Sequence, residues 1–334
     1  MIAIPYLSVI VPTYQRCDSA ARLLRALTQQ TLAPEWYEVI ISIDGSHDGT
    51  LEMVEAFAAP YQLSHVWQSN NGRAAARNAG IRRAQGEVLI FFDDDMEPAP
   101  NCLEVHWRVH GADSRLVAIG AVPIQREAND PPIAEYIAAK FSQHLDRLAR
   151  PDHHFMLRDF HSGHFSIRRP VLDEIGLFDE SFRSYGNEDL ELSWRLQKAG
   201  VKLIYLPQAV AYQHYSKDFV ALAQDTIAKG RTAILLASKY PEAMIGLQLS
   251  LDDRNSVRWR GVRNLLLTLS RWWPATPDKI IAFIVWLEQR KMKHLHLYYR
   301  FVLDYLYWLG VKQALRENRQ TGLGLTSLSG RLKA

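Results

Sequence analysis

Cysteine is nearly absent: Cys17 and Cys102 are the only two in 334 residues. That excludes a disulfide framework, and no Cys-based zinc site is expected. A reducing cytoplasm fits such usage. Long apolar runs are missing too. The longest candidate, Ile280 to Leu287, is a third to a half of the ~18–20 residues a bilayer span needs. Met1 to Tyr6 lacks a basic segment ahead of an apolar one, so no signal peptide is expected. No G-x-G-x-x-G follows the first apolar run, which disfavours a dinucleotide-dependent dehydrogenase. There is no internal repeat and no recognised nucleic-acid-binding module, so nucleic acid is not an expected partner.

What remains is an ordinary globular composition, 48% hydrophobic and 22% charged. The length allows one large α/β domain with an appendage, or two domains. Net charge is only +3, yet it is unevenly spread. From Arg254 to Ala334 there are 15 Lys+Arg against 4 Asp+Glu, a net of +11, which leaves −8 for the rest. Five of the nine Trp also fall in that stretch: Trp259, Trp272, Trp273, Trp286 and Trp308. Interleaved cations and indoles suit the surface of an anionic membrane, with residues 254–320 as the contact. The alternative is that these helices pack on the body with Leu and Trp as core.

The first ~120 residues alternate strand and helix patterns, as in a parallel sheet. Expected strands are Leu7–Pro12, Val39–Ile43, Leu63–Trp67 and Glu87–Phe92. Expected helices start at Asp18 or Ser19, at Leu51 and after Asn70-Asn71-Gly72. Ligands of open α/β sheets bind outside the carboxyl ends of strands. Right-handed crossovers then place Pro12–Tyr14, Asp44 and Asp93–Asp95 on one rim. Three successive carboxylates, Asp93, Asp94 and Asp95, repel one another unless a cation sits among them. A hard divalent ion, Mn2+ or Mg2+, is the natural one. A solvated acidic loop is the competing reading.

Further along, Leu116–Val122, Phe165–Arg168, Lys202–Leu206 and Val210–His214 read as strands. Ile133–Leu148, a segment opening at Asn187-Glu188-Asp189 and Ser216–Tyr240 read as helices. Asp152–Ser162, with His153, His154 and His161, reads as a solvated loop, because the spacing fits no standard zinc site. Three helical patterns, Val257–Arg271, Asp278–Lys293 and Leu295–Gln313, precede a Gly/Ser-rich end from Gln320 that is expected to fray.

Ser8-Val9-Ile10-Val11-Pro12-Thr13-Tyr14, Asp44-Gly45-Ser46-His47-Asp48-Gly49-Thr50, Ala76-Arg77-Asn78-Ala79-Gly80-Ile81 and Phe92-Asp93-Asp94-Asp95 resemble the motifs of family 2 glycosyltransferases. The resemblance continues through Gly163–Arg168, Gly176–Glu180, Glu188-Asp189 and His214, covering roughly residues 6–240. It implies a GT-A type, Rossmann-like, mostly parallel sheet flanked by helices, with a C-terminal helical extension. The implied division is a catalytic domain 1–250, its nucleotide-sugar half about 1–122 and acceptor half about 123–250, then a basic helical region 251–334. The implied enzyme moves one sugar, with inversion and without processivity, from a nucleoside diphosphate sugar, in the first instance UDP-linked, to a glycan or lipid-linked acceptor. It would stand in the cytoplasm or on the cytoplasmic face of a membrane. A catalytically inactive sugar-nucleotide binding protein and a sugar nucleotidyltransferase stay open beside it.

Residue by residue, Asp44 resembles the acceptor of the uracil N3–H, although Ile43 stands where a second acid is often found. Pro12, Thr13 and Tyr14 resemble the lip of the nucleotide pocket, and Arg73 and Arg77 lie near the diphosphate. Asp93-Asp94-Asp95 resembles the D-x-D motif, with Asp95 the direct metal ligand, Asp93 and Asp94 supporting metal and ribose, and His214 a further metal contact. Asp189, beside Glu188, is the implied general base, with helix capping as the alternative. Asn255-Ser256-Val257-Arg258-Trp259 resembles the Q-x-x-R-W motif of processive synthases with Asn for Gln, and is read as chance.

Overall fold

The computed structural model describes residues 6–113, 115–155, 157–244 and 256–320. They divide into two units. The first comprises Met1–Glu127, Ala138–Arg183 and Glu188–Tyr215. The second comprises Ala128–Ile137, Ser184–Asn187 and Ser216–Ala334. Helix 219–239 therefore groups with the C-terminal helices rather than with the sheet.

The first unit is built on strands β1 (Leu7–Thr13), β2 (Tyr37–Asp44), β3 (Gln62–Gln68), β4 (Val88–Phe92), β5 (Met96–Pro98), β6 (Leu116–Ala121), β7 (Ile124–Gln125), β8 (His164–Arg168) and β9 (Lys202–His214). Their order is β3-β2-β1-β4-β8-β6-β9-β5, with β7 also on β9. β1, β2, β3 and β4 run parallel. β8 is antiparallel to both its neighbours. Every residue of β1, β2 and β4 is buried, as expected of parallel strands covered on both faces. β9 was expected as two strands. It is one, with an irregularity opposite Gly120/Ala121 that takes up Pro207.

Helices α1 (Cys17–Leu27), α2 (Thr50–Ala56), α3 (Arg73–Arg83) and α4 (Cys102–Ala112) follow or flank the parallel strands. α1 begins earlier than Asp18 or Ser19. Its first N–H, on Cys17, donates to the Asp48 carboxylate (2.9 Å), so the cap comes from a distant loop. α4 was not anticipated. α5 (Pro132–Leu148), α6 (Arg169–Ile175) and α7 (Glu188–Lys198) follow. Leu157, Asp159 and Phe160 are buried, so 152–162 is not the wholly solvated loop expected.

The second unit carries α8 (Phe219–Lys239), α9 (Val257–Trp272), α10 (Thr276–Gln289) and α11 (Leu295–Gln320). α8 and α11 meet at two glycines. A Cβ on Gly230 would lie 2.0 Å from the Tyr307 carbonyl oxygen, and one on Gly310 2.0 Å from that of Ile227. Trp259 is anchored here, its Nε1–H donating to Asp304 (3.1 Å). Asn255 and the expected frayed end beyond Gln320 lie outside the described residues. No helix among the described residues is long and apolar enough to cross a membrane.

Candidate active site

The carboxyl ends of β1, β2 and β4 converge. Thr13 at the end of β1 donates its hydroxyl to Asp94 (2.8 Å), just past β4. The Gln15 N–H donates to Ser46 Oγ (2.9 Å) in the loop after β2. Pro12 is buried in β1, whereas Tyr14 is 49% exposed at the lip.

The positive charge among the three aspartates comes from arginines. Arg77 Nη2 donates to Asp93 (2.9 Å). One Arg16 nitrogen lies 3.2 Å from Asp94 and 3.0 Å from Asp95. Arg16 has no place in the sequence expectations, because a single charge in a strand-exit loop carries no motif. Burial disfavours the Asp93 charge, but Arg77 and Arg73 outweigh it and hold the carboxyl below its usual range. Asp94 goes the other way. Burial, together with the Asp95 and Asp93 charges, pushes it up to about 7 against the pull of Arg16 and Thr13. Burial and Asp93 likewise raise Asp95.

Asp44 is buried and already accepts three hydrogen bonds, from Gln68 Nε2 (2.7 Å), Asn71 N (2.9 Å) and Gly72 N (2.9 Å). It holds the loop that opens α3. Gly72, at φ +90°, is needed there, since a Cβ would sit 2.7 Å from the Arg183 carbonyl oxygen. Arg73 begins α3 and is close enough to Asp93 and Arg16 to act on their charges.

Arg77 is 1% exposed. Its second terminal nitrogen donates to Glu188 (3.1 Å), and its guanidinium lies over the Phe178 ring. It is an internal bridge rather than a solvent-facing phosphate contact. The bridge ties the acidic rim to Glu188 at the start of α7. Gly186 and Asn187 both have left-handed backbone (φ +98° and +70°), which makes the turn into α7. Asp189 is half-buried and accepts from the Leu190 N–H (2.8 Å). Glu188 Oε2 and Arg77 Nε are buried without a hydrogen-bond partner. Buried polar atoms of this kind are ordinarily satisfied by water, an ion or a ligand. Asn78 clasps the Phe178 backbone from both sides (2.8 and 3.0 Å), and Asp179 is satisfied locally by the Ser181 N–H.

His214 is the residue the site does not gather in. Its N–H donates to the Asp95 carbonyl (2.9 Å), but its ring binds Glu97 (2.7 Å) and Glu127 (3.0 Å). Among the described residues, the His/Cys/Asp/Glu group whose ligand atoms all lie within 4.8 Å of one another is instead Cys102, His106 and His164. His153 is tied to Asp159 (2.8 Å), and His161 buries an unpartnered Nε2.

The model of the family described as "Glycosyl transferase family 2" matches residues 8–176, just over half of the chain. Glu188, Asp189 and His214 lie beyond that match. A validoxylamine A glucosyltransferase of Streptomyces hygroscopicus subsp. limoneus is 30% identical over 224 residues, covering 60% of this chain and 49% of the relative. The chain spans between about half and three-fifths of the length of the curated relatives it matches first. Among solved structures, the mannosyltransferase PcManGT from Pyrobaculum calidifontis, in complex with GDP-Man and Mn2+, superposes with a TM-score of 0.58. It is 20% identical, over 94% of this chain and 88% of that one. S. aureus TarS 1-349 in complex with UDP gives 0.52 at 17% identity, over 95% and 91%. At these identities the likeness is one of fold, the GT-A type. The matched residues hold the acidic rim, α3 and β8, and the chain belongs to glycosyl transferase family 2.

Proposed function

We propose that the chain transfers a single sugar from a nucleoside diphosphate sugar, in the first instance a UDP-sugar, to a hydroxyl of a glycan or lipid-linked acceptor. The anomeric centre inverts. The observation that carries this reading is the Arg77 bridge. It ties Glu188, at the start of α7, to Asp93 at the end of β4, and Asp189 is the next residue, which supports its reading as the base. A donor rim and a candidate base then stand on one site.

Two obstacles slow such a transfer. The hydroxyl is a poor nucleophile while it keeps its proton, and the diphosphate is a poor leaving group while its charge is uncompensated. Asp189 removes the hydroxyl proton, which is worth roughly 10²–10⁴ in rate. Arg16 and Arg73 stand at the rim where phosphate oxygens would lie, and guanidinium suits them. Tyr14 offers an exposed ring at the lip for the nucleobase. Asp44 serves the nucleotide by holding residues 68–72 in place. One base and one displacement give inversion, without the paired carboxylic acids of glycosidases.

The donor set at the rim is all oxygen, which suits Mn2+ or Mg2+. Asp95 would hold the ion with Asp93 nearby, once Arg16 swings from the carboxylates to the donor, and His214 would join only by leaving Glu97 and Glu127. Bound there, the ion would supply charge neutralisation on the departing diphosphate. The Mn2+ seen with PcManGT supports this reading.

Asp189→Asn is expected to lower transfer by at least ~10²-fold while a thermal shift with UDP-sugar and Mn2+ persists. Asp95→Ala should lose the metal-dependent part of that shift. Transfer by Asp189→Asn at the wild-type rate would remove the base assignment. Donor binding without any transfer or hydrolysis by the wild type would favour a binding protein. Release of pyrophosphate would favour a nucleotidyltransferase.

A further inference from the structure

Behind the acidic rim, α4 presents Cys102, His106 and His110 at i, i+4 and i+8, on one face of the helix. β8 presents His164 and Ser166 at i and i+2, on one face of the strand. All five are fully buried. Apolar side chains would fill a helix–sheet interface at lower cost, since buried polar groups must each find a partner.

The five meet in a connected set. His106 Nε2 and His164 Nε2 are 3.0 Å apart, and Cys102 Sγ lies 3.4 Å from the same His164 nitrogen. The outer nitrogens are occupied. His164 Nδ1 faces the Ala121 carbonyl (3.3 Å) and His106 Nδ1 faces Ser166 Oγ (2.7 Å), which His110 Nε2 also meets (2.7 Å). A carbonyl only accepts, so His164 Nδ1 carries the proton and its Nε2 lone pair points inward. That single lone pair is approached by both the Cys102 thiol and the His106 ring. As a purely hydrogen-bonded cluster, that lone pair takes the His106 Nε2–H and leaves the Cys102 thiol, a weak donor, with only a shared contact. Around a cation, all three atoms supply one lone pair each.

Ligand atoms on a tetrahedral ion with bonds of ~2.05 Å to nitrogen and ~2.3 Å to sulfur lie ~3.3–3.6 Å apart; the two separations at His164, 3.0 and 3.4 Å, fall near that range, and the third lies within 4.8 Å. Imidazoles that ligate metal are held by a carbonyl, carboxylate or water on their other nitrogen, as His164 is by Ala121. β6 makes room for the ring: a Cβ on Gly120 would lie 2.0 Å from His164 Cε1.

We propose that Cys102, His106 and His164 bind a thiophilic d10 cation, Zn2+ or Cu+, that pins α4 to β8 behind the acidic rim. One thiol proton leaves to solvent for each ion bound. The soft Cys/His donor set separates this ion from one held by oxygen at the rim. A count of two cysteines does not register that one cysteine and two histidines share a face of α4. The site's neighbour is functional. His164 pairs with Phe92 in the sheet, and Gly163 accepts the Asp93 N–H (3.0 Å).

Full-length protein purified without chelator should carry close to one equivalent of zinc or copper through gel filtration, by elemental analysis. Cobalt substitution should give a near-ultraviolet thiolate-to-metal charge-transfer band. Cys102→Ser should lose both; Cys17→Ser and Asp95→Ala should keep both. X-ray absorption on the unmodified protein should find one sulfur and two imidazole nitrogens around the ion, which needs no variant to fold. Failure of the native protein to retain an equivalent after incubation with Zn2+ or Cu+ would overturn the site. So would a cobalt band that survives Cys102→Ser, or an ion shell without sulfur. None of these readouts depends on sugar transfer.

Discussion

Deleting the Arg77 guanidinium would leave Asp93 and Glu188 facing each other's surroundings without their shared counter-charge. Breaking a buried ion pair by removing one partner typically costs ~3–5 kcal/mol. Arg77→Leu should therefore unfold in urea at a clearly lower midpoint than wild type. Arg77→Lys should recover only part of that loss, because one ammonium cannot reproduce a planar fork on two carboxylates. A loss below ~1 kcal/mol in Arg77→Leu, the range of exposed pairs, would show that the bridge does not hold α7 to the rim. Two other side chains set a pH limit. His110 and His161 are held down to about 4. Burial comes first for each, helped by Arg168 at His110 and by His144 at His161, and opposed by Asp113 at the one and by Asp93 and Asp159 at the other. Unfolded, both would titrate near the ordinary ~6.5. Between ~6.5 and about 4 the unfolded chain thus binds more protons than the folded one. Stability from these groups is intact above ~6.5 and falls as pH drops, by up to ~1.4 kcal/mol per pH unit for each. Asp94 and Asp95, raised by burial, act in the opposite sense over the same range, so the test is the comparison of urea midpoints at pH 7.5 and 5: His110→Gln should lose less, or gain more, stability on acidification than wild type.

At the scale of elements, α8 and α11 approach through Gly230 and Gly310, each against the other helix's backbone. Alanine would raise helix propensity by ~1 kcal/mol, but overpacking costs ~1–3 kcal/mol, and here the obstructing atoms are backbone. Gly230→Ala and Gly310→Ala should both lower Tm, whereas Gly261→Ala, in α9 with open space, should not. A rise in Tm for the first two would mean that the helices are looser than described. Elements of this kind were unequally legible in the sequence. β1, β2 and β4 stand out because a strand buried on both faces is a continuous apolar run between turn residues. α4 does not, because Cys102, His106 and His110 occupy its buried face and break the apolar stripe by which an amphipathic helix is recognised. β5 and β7 are too short to show a period. The cap of α1 could not be read locally, since it comes from Asp48, 31 residues on. The same holds in the site. The row Asp93–Asp95 and the pair Glu188-Asp189 are visible as motifs. That Arg77 joins them, that Arg16 bridges Asp94 and Asp95, and that His214 turns to Glu97 and Glu127 are long-range facts of the fold.

At the scale of the whole molecule the charge is divided along the chain, +11 from Arg254 onward against −8 before it. Large apolar side chains accompany the positive part. Val257, Leu265, Trp272, Trp273, Phe283, Trp286 and Leu297 are all exposed, Trp272 at 73% and Trp273 at 63%. Exposed indoles among Arg258, Arg271, Lys279, Arg290 and Lys291 match the headgroup layer of an anionic bilayer, where cations meet lipid phosphate and indoles enter the acyl boundary. Each basic side chain near such a surface contributes ~1 kcal/mol. Full-length protein should float with vesicles containing phosphatidylserine and less with phosphatidylcholine alone. Binding should weaken as salt shortens the Debye length from ~10 Å at 0.1 M toward ~3 Å at 1 M. Trp272→Ser with Trp273→Ser should reduce flotation without lowering Tm, since neither side chain is packed. Equal recovery of wild type and double variant, or equal binding to neutral vesicles, would remove the membrane contact. A concentration-dependent dimer that the double variant abolishes would assign these indoles to a second copy of the chain instead.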